Sequence, residues 1–440
     1  MANKNIIRVS EFEKLYYDDT KPFKQKHWEV LCRYQEEQNK KREGRIEYYR
    51  ILNKGIQFTN FVGVIQAGKL TVEILPKTDR HQTTAANITA EELAIADKAS
   101  SNSKKDWHAV LLQMLRECRL LKINQVNYAS LRLKSNSILD SYIELFLSET
   151  EKLLHEGLVK KYRKTEGNSL AMKGQLLFAK NINSNLVHKE RFYVRYTEYN
   201  RINVFNQLLY KTLCIIPSIS SNPWLADRVN RLLLDFPEMP DCKVSATTFE
   251  KLVFDRKTER YKEALLISKM LLLNFRPDIT GGTENVIAIL FDMNKLWEEF
   301  VYRRLKKEEI NYGITVQRQQ SANFWQPALF GRVKTIRPDI VIKTGSEIII
   351  IDTKWKIVED LKPSDEDLKQ MFVYNLFWTC ERSILLYPSS KRASNHGKYF
   401  DFKETKKYFT ECIVETINIL DENSALDRAL GRKIVDMALC

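Results

Sequence analysis

The sequence predicts an α+β multidomain chain, on three observations. It is too long for one core, strand-like and helical hydropathy patterns alternate along it, and its last third reads helix, strands, helix, strand. At 440 residues, ~2–3 domains follow from the size at which single cores stop growing. Apolar residues make up 44% of the chain, enough to fill such cores. The expected division is 1–90, a mixed α/β domain; 91–280, a helical and β middle region; and 281–440, an α/β domain.

The elements follow in order. Phe12–Tyr17 and Lys26–Gln38 read as short helices, and Ile56–Ile65 and Leu70–Leu75 as two strands around a Gln66-Ala67-Gly68 turn. Ala85–Ser103, small and polar, reads as a connector. Trp107–Leu121 and Ile138–Tyr162 carry apolar residues at helical spacing; strand-like pieces start at Leu170, and helices return over Val204–Ile215 and Tyr261–Leu273. Gly63–Lys69 matches the first seven positions of a phosphate-binding P-loop. Leu70 stands where Ser or Thr would hold magnesium, however, and the next residues are strand-like rather than a helix opening on phosphate. A hairpin turn is expected there, and no nucleotide bound by this chain alone.

Net charge is +14, which predicts attraction to a polyanion. No apolar run approaches the ~20 residues that span a bilayer, and the N-terminal stretch has no apolar signal core. A cytoplasmic protein that meets nucleic acid rather than membrane is the reading. The seven cysteines are scattered and never form C-x-x-C, and the six histidines are dispersed, so any metal should be held by carboxylates.

Arg337-Pro338-Asp339 opens one β-rich run, and Glu347–Ile351 leads a second into Asp352-Thr353-Lys354. A polar turn joins them, which makes a hairpin. Ile348–Ile351 is apolar on both faces, as in a central strand. Asp352 and Lys354, two apart, share a face, and Asp339 starts the neighbouring strand. Two acids can hold a hard divalent cation, Mg2+ or Mn2+, that lowers the pKa of a bound water. A lysine beside them can position that water and offset charge on the phosphate. Upstream, Phe291–Val301 reads as a helix with Asp292 at its N-cap, Leu296, Trp297, Phe300 and Val301 buried, and Glu298 within reach of the metal. Downstream, Asp365–Thr379 is a helix with Gln370 and Tyr374 on one face.

This order resembles the PD-(D/E)XK nuclease superfamily, and Gln-x-x-x-Tyr is similar to that of its RecB-like members. The words Phe291–Glu298, Arg337-Pro338-Asp339 and Asp352-Thr353-Lys354 resemble McrC, the nuclease subunit of McrBC-type, including LlaJI-like, modification-dependent restriction systems. Gly63-Val64-Ile65 with Glu73–Lys77, and Arg191–Tyr199 before Asn206, resemble earlier parts of that family.

The resemblance implies a mixed central sheet flanked by helices over 281–440, with Asp339, Asp352, Lys354, Glu298 and Gln370 as catalytic residues. Asp339, Asp352 and Glu298 would hold the metal. It also implies a partner, an McrB-like AAA+ GTPase hexamer that this chain stimulates, and double-stranded DNA, plain or methylated, as substrate. Residues 1–280 would dock on the ring. Tyr374, Arg191, Arg195 and Lys356 are candidate nucleic-acid contacts; the plainer reading of Arg191–Tyr196 is a half-buried strand with a solvated basic face. Two alternatives remain: a stand-alone RecB-like nuclease, and a non-catalytic GTPase-activating scaffold.

Overall fold

The computed structural model describes residues 6–41, 47–77, 107–118, 120, 137–220, 222–276, 285–328, 330–345, 347–358, 360–400, 410–422 and 425–439. They fall into two compact units. One gathers the described residues of 1–65, 70–125 and 290–440, and the other those of 66–69 and 126–289. The start of the chain and its last third thus share a unit.

The first unit is built on a six-stranded mixed sheet in the order Thr315–Arg318, Ile340–Lys343, Ile348–Thr353, Arg382–Ser389, Glu411–Asn418, Ala393–Lys398. Ile348–Thr353 runs antiparallel to Ile340–Lys343 and parallel to Arg382–Ser389. Such a central strand is covered on both sides, which is why it is a continuous apolar run. A helix over Asp365–Trp378, here the glutamine helix, packs Met371 and Tyr374 against Ile350, Leu385 and Val414. Its N-cap Ser364 accepts from the Asp367 amide, and Asp365, Glu366 and Asp367 suit the positive end of its dipole.

A twenty-residue helix, Met293–Tyr312, here the glutamate helix, buries Leu296, Trp297, Phe300 and Val301 as the periodicity predicts. Asp292 caps it by accepting from the Asn294 amide, and Gly313 ends it in the left-handed conformation (φ 61°). Asn60 Nδ2 donates to Asp292 Oδ1 at 3.0 Å, tying the cap to the early strands. The C-terminal helix Leu430–Leu439 crosses it closely, and a Cβ on Gly431 would lie 2.6 Å from the Arg304 carbonyl oxygen. Gly431→Ala should therefore cost about 1–3 kcal/mol by forcing the helices apart. A fall in melting temperature checks this.

Ile56–Ile65 is two strands, Gly55–Phe58 and Phe61–Ala67, and the second neighbours Leu70–Leu75 across a turn at Gly68 (φ 58°), so the P-loop match is a hairpin turn. The expected helix over Phe12–Tyr17 is instead a short strand, Lys14–Tyr16, paired antiparallel with Gly55–Phe58. Its aromatic and apolar residues serve a sheet edge as well as a helix, and pairing decides. The connector expected at Ala85–Ser103 lies outside the described residues.

The second unit holds the helices Ile138–His155, Val204–Ile219, Pro223–Asp235 and Lys262–Asn274. The helix expected to reach Tyr162 ends at His155, and Lys161–Ser169 is a strand paired antiparallel with Phe192–Asn200. The basic residues Lys161, Arg163 and Lys164 therefore lie in a strand. Asn206, fully buried, donates to the carbonyls of Val159 (3.0 Å) and Arg201 (2.7 Å) and accepts from Tyr261 Oη at 2.9 Å. Those bonds fix the crossing from helix to strand.

Candidate nuclease site

The antiparallel register pairs Ile340 with Ile351, so one step further Asp339 stands opposite Asp352. Asp339 is held by Thr353, whose amide and hydroxyl both donate to Oδ2, at 2.8 and 2.9 Å. Asp352 is 1% exposed and Lys354 Nζ lies 2.8 Å from its Oδ2. The Lys354 amide keeps the ladder going by donating to the Leu386 carbonyl at 3.0 Å.

The glutamine helix completes a relay. Lys354 Nζ donates to Gln370 Oε1 (3.2 Å), Gln370 Nε2 donates to Tyr374 Oη (2.7 Å), and Tyr374 Oη donates to the Arg337 carbonyl (3.0 Å). Gln-x-x-x-Tyr, one helical turn long, thus bridges the lysine on one strand to the residue before Pro338. Asp367 lies 3.9 Å from Lys354 Nζ and accepts from Lys356 Nζ and Tyr387 Oη.

The electrostatics follow from burial. Desolvation first, and then the charge of Asp339, push the Asp352 carboxyl up to about 7, against the pull of Lys354. Asp339 is also raised by burial, although the Thr353 bonds and the charges of Lys354 and Arg337 oppose it. Burial acts to lower Lys354, but Asp352, Asp367 and Asp339 outweigh it and hold the ammonium charged. Two facing carboxylates with one lysine between them are short of positive charge. Two carboxylates, one buried and one half-buried, that face each other with a single ammonium beside them suit a hard divalent cation such as Mg2+.

Glu298 lies on the glutamate helix, with Oε1 accepting from Gln319 Nε2 at 2.8 Å. Its carboxyl is raised by burial and then by the charge of Asp339. Among the described residues no three His, Cys, Asp or Glu side chains gather at metal-holding distances, and Glu298 lies close enough to Asp339 to feel its charge. Of the candidate nucleic-acid contacts, Tyr374 is buried in the relay and Lys356 is paired with Asp367. Arg195 lies 2.6 Å and Arg191 3.6 Å from Glu166 and Glu190 respectively, both in the second unit.

Thr353, Gln319 and Asp367 take part without having been singled out. Thr353 is the unspecified middle residue of Asp-x-Lys, and Gln319 sits in a connection at φ 51° with no motif to mark it. Glu11 is a further omission. It is buried and accepts from Trp355 Nε1 at 2.6 Å and from the Lys77 amide at 2.8 Å, while the Trp355 amide donates to Asn294 Oδ1 at 3.2 Å. The residue after Lys354 is thereby clamped to the first strands and to the start of the glutamate helix.

Burial raises Glu11 from 4.5 to about 7. A carboxyl that binds its proton more tightly when folded gives stability that is full below pH 4.5 and lost as pH rises through 7. Glu11→Gln keeps an acceptor without the charge. Its melting temperature should gain on wild type between pH 5 and pH 8, by up to about 3 kcal/mol equivalent at the upper end.

The family described as McrBC 5-methylcytosine restriction system component matches residues 56–388. No curated protein matches the sequence. A chain of the refined half-complex from the tetradecameric assembly of Thermococcus gammatolerans McrB AAA+ hexamers with bound McrC is similar in structure, with a TM-score of 0.68 and 18% identity over 98% of this chain and 100% of that one. A chain of the cryo-EM structure of the Thermococcus gammatolerans McrBC complex gives 0.50 and 19%, over 69% and 88%. At such identities the likeness is one of fold.

Proposed function

Because the chain belongs to the McrBC 5-methylcytosine restriction system component family, we propose that it is an McrC-type subunit that cleaves DNA through a PD-(D/E)XK site. The observation that carries this is Asp339 and Asp352 facing each other across the central hairpin, Asp352 buried and Asp339 half-buried, with Lys354 Nζ 2.8 Å from Oδ2 of Asp352. Asp339 and Asp352 would hold Mg2+, which when bound supplies an acidified water and neutralises phosphate charge. Thr353 fixes Oδ2 of Asp339, so Oδ1 would be the oxygen left to hold the cation. Lys354 is oriented by Gln370 and stays protonated, so it stabilises charge on the scissile phosphate rather than removing a proton. Glu298 and Gln319 border the same charge and act as a polar wall.

The partner in this reading is a AAA+ GTPase ring, as in the McrB hexamers with bound McrC. Residues of the second unit would dock on it, and double-stranded DNA, methylated or plain, would be delivered to the nuclease site. The test is cleavage of both DNAs with Mg2+, with and without that partner and GTP. Metal-dependent cutting that rises with partner and GTP is expected. Equal cutting in chelator would overturn the assignment.

A further inference from the structure

Beside the site lies an antiparallel hairpin outside the main sheet, Ala322–Trp325 paired with Lys334–Ile336. Its register slips between Asn323 and Trp325, a bulge that re-aims Phe324. Phe324 packs on Phe377 of the glutamine helix with ring centroids 5.7 Å apart, and Trp378 Nε1 donates to Gln320 Oε1 at 3.2 Å, so the hairpin base is pinned. Near the tip, Gly331 adopts φ 131°, and a Cβ there would meet Pro327 Cγ at 3.1 Å. The tip presents apolar surface outward: Phe330 is 94% and Trp325 56% exposed. Arg332, Lys334, Arg337 and Lys369 are all exposed, and none closes an ion pair among the described residues.

A cavity of about 650 Å³ separates this hairpin from the glutamine helix. Its lining includes Phe324, Arg337 and Lys369, and also Gln370 and Tyr374, the relay that orients Lys354. An exposed aromatic tip with Arg332 and Lys334 on the same hairpin, and Arg337 and Lys369 lining the cavity that reaches the relay, fits a polyanion that also offers π-faces. We propose that this hairpin is a DNA wedge, in which Phe330 inserts at a base step beside the scissile phosphate while Arg332, Lys334, Arg337 and Lys369 hold the flanking phosphates. Apolar side chains inserted this way unstack one step and kink the duplex. The inference rests on the nuclease reading of the Asp352 site and adds how the substrate is gripped.

The experiment uses the full chain carrying Asp352→Asn, bound at low salt to a linear, thymine-rich duplex and probed with permanganate, which attacks unstacked thymines. With Phe330 present, thymine reactivity should rise several-fold over free duplex. Phe330→Ala should return it to the free level with an unchanged melting temperature, and Phe330→Trp should retain it. The pair Arg332→Gln and Lys334→Gln should lower the slope of log K against log salt by about 2, at ~0.9 per phosphate. Reactivity that is absent from the Phe330 chain, or unchanged in Phe330→Ala, overturns the wedge. So does a Phe330→Ala chain that changes oligomeric state with its DNA binding intact, which would give the tip to a protein partner. Wild-type cleavage run in parallel, with Mg2+, the GTPase partner and GTP, separates the two readings. Unstacking without cutting breaks the nuclease assignment alone, and cutting without Phe330-dependent reactivity breaks the wedge alone.

Discussion

Asp352→Ala should reduce DNA cleavage about a thousandfold or more, since a metal contributes several kcal/mol to the transition state and each 1.36 kcal/mol is tenfold. Stability should move the other way. Asp352 is buried, faces Asp339, and titrates near 7 instead of near 3.8. Its folded pKa lies above its unfolded one, so its contribution to stability is full below pH 3.8 and is lost as pH rises through 7. At pH 8 and without divalent cation, the alanine chain should melt higher than wild type. Adding Mg2+ should then raise the wild-type melting temperature by mass action and leave the variant unmoved. A residue kept at a cost in stability and required for cleavage is the signature of a site rather than of a core.

Lys354→Ala is expected to cost about 10²–10³ in cleavage rate, the scale of one preorganised charged donor, while Mg2+ still raises the melting temperature. The two variants therefore separate: one loses the cation, the other keeps it without chemistry. Lys354 also bridges Asp352 and Gln370, so its loss should destabilise the metal-free chain by about 2 kcal/mol, the scale of a hydrogen bond to a charged group. Lys354→Arg should not restore activity, because a planar fork does not replace a compact ammonium between those two acceptors. Single-turnover cleavage and calorimetric Mg2+ titration of both variants check this.

Much of the first unit's centre was legible because two periodicities are strong there. Ile348–Ile351 can only be a strand covered on both faces, and Leu296, Trp297, Phe300 and Val301 mark one helix stripe. Gln370 and Tyr374 were legible as one face of a helix, though not as a relay ending on the Arg337 carbonyl. What stayed hidden was long-range. Glu11 lies 344 positions from Trp355, and nothing local announces that pair. Gln319 bonds Glu298 from a connection with no pattern of its own. Phe12–Tyr17 and Lys161–Tyr162 were misread because short amphipathic stretches carry both periods, and strand partners decided between them. Glu298, read from the sequence as a metal ligand, lies in the field of Asp339 and accepts from Gln319, a partner that no motif marks.

The most direct measurement is Mg2+-dependent cleavage of a methylated and a plain duplex, in the presence of the GTPase partner and GTP, by wild type and by Asp352→Asn side by side. Cutting by wild type that stops in chelator, with none above background by the asparagine chain although both fold and bind the partner, is the result predicted. Equal cutting by the two chains would contradict it.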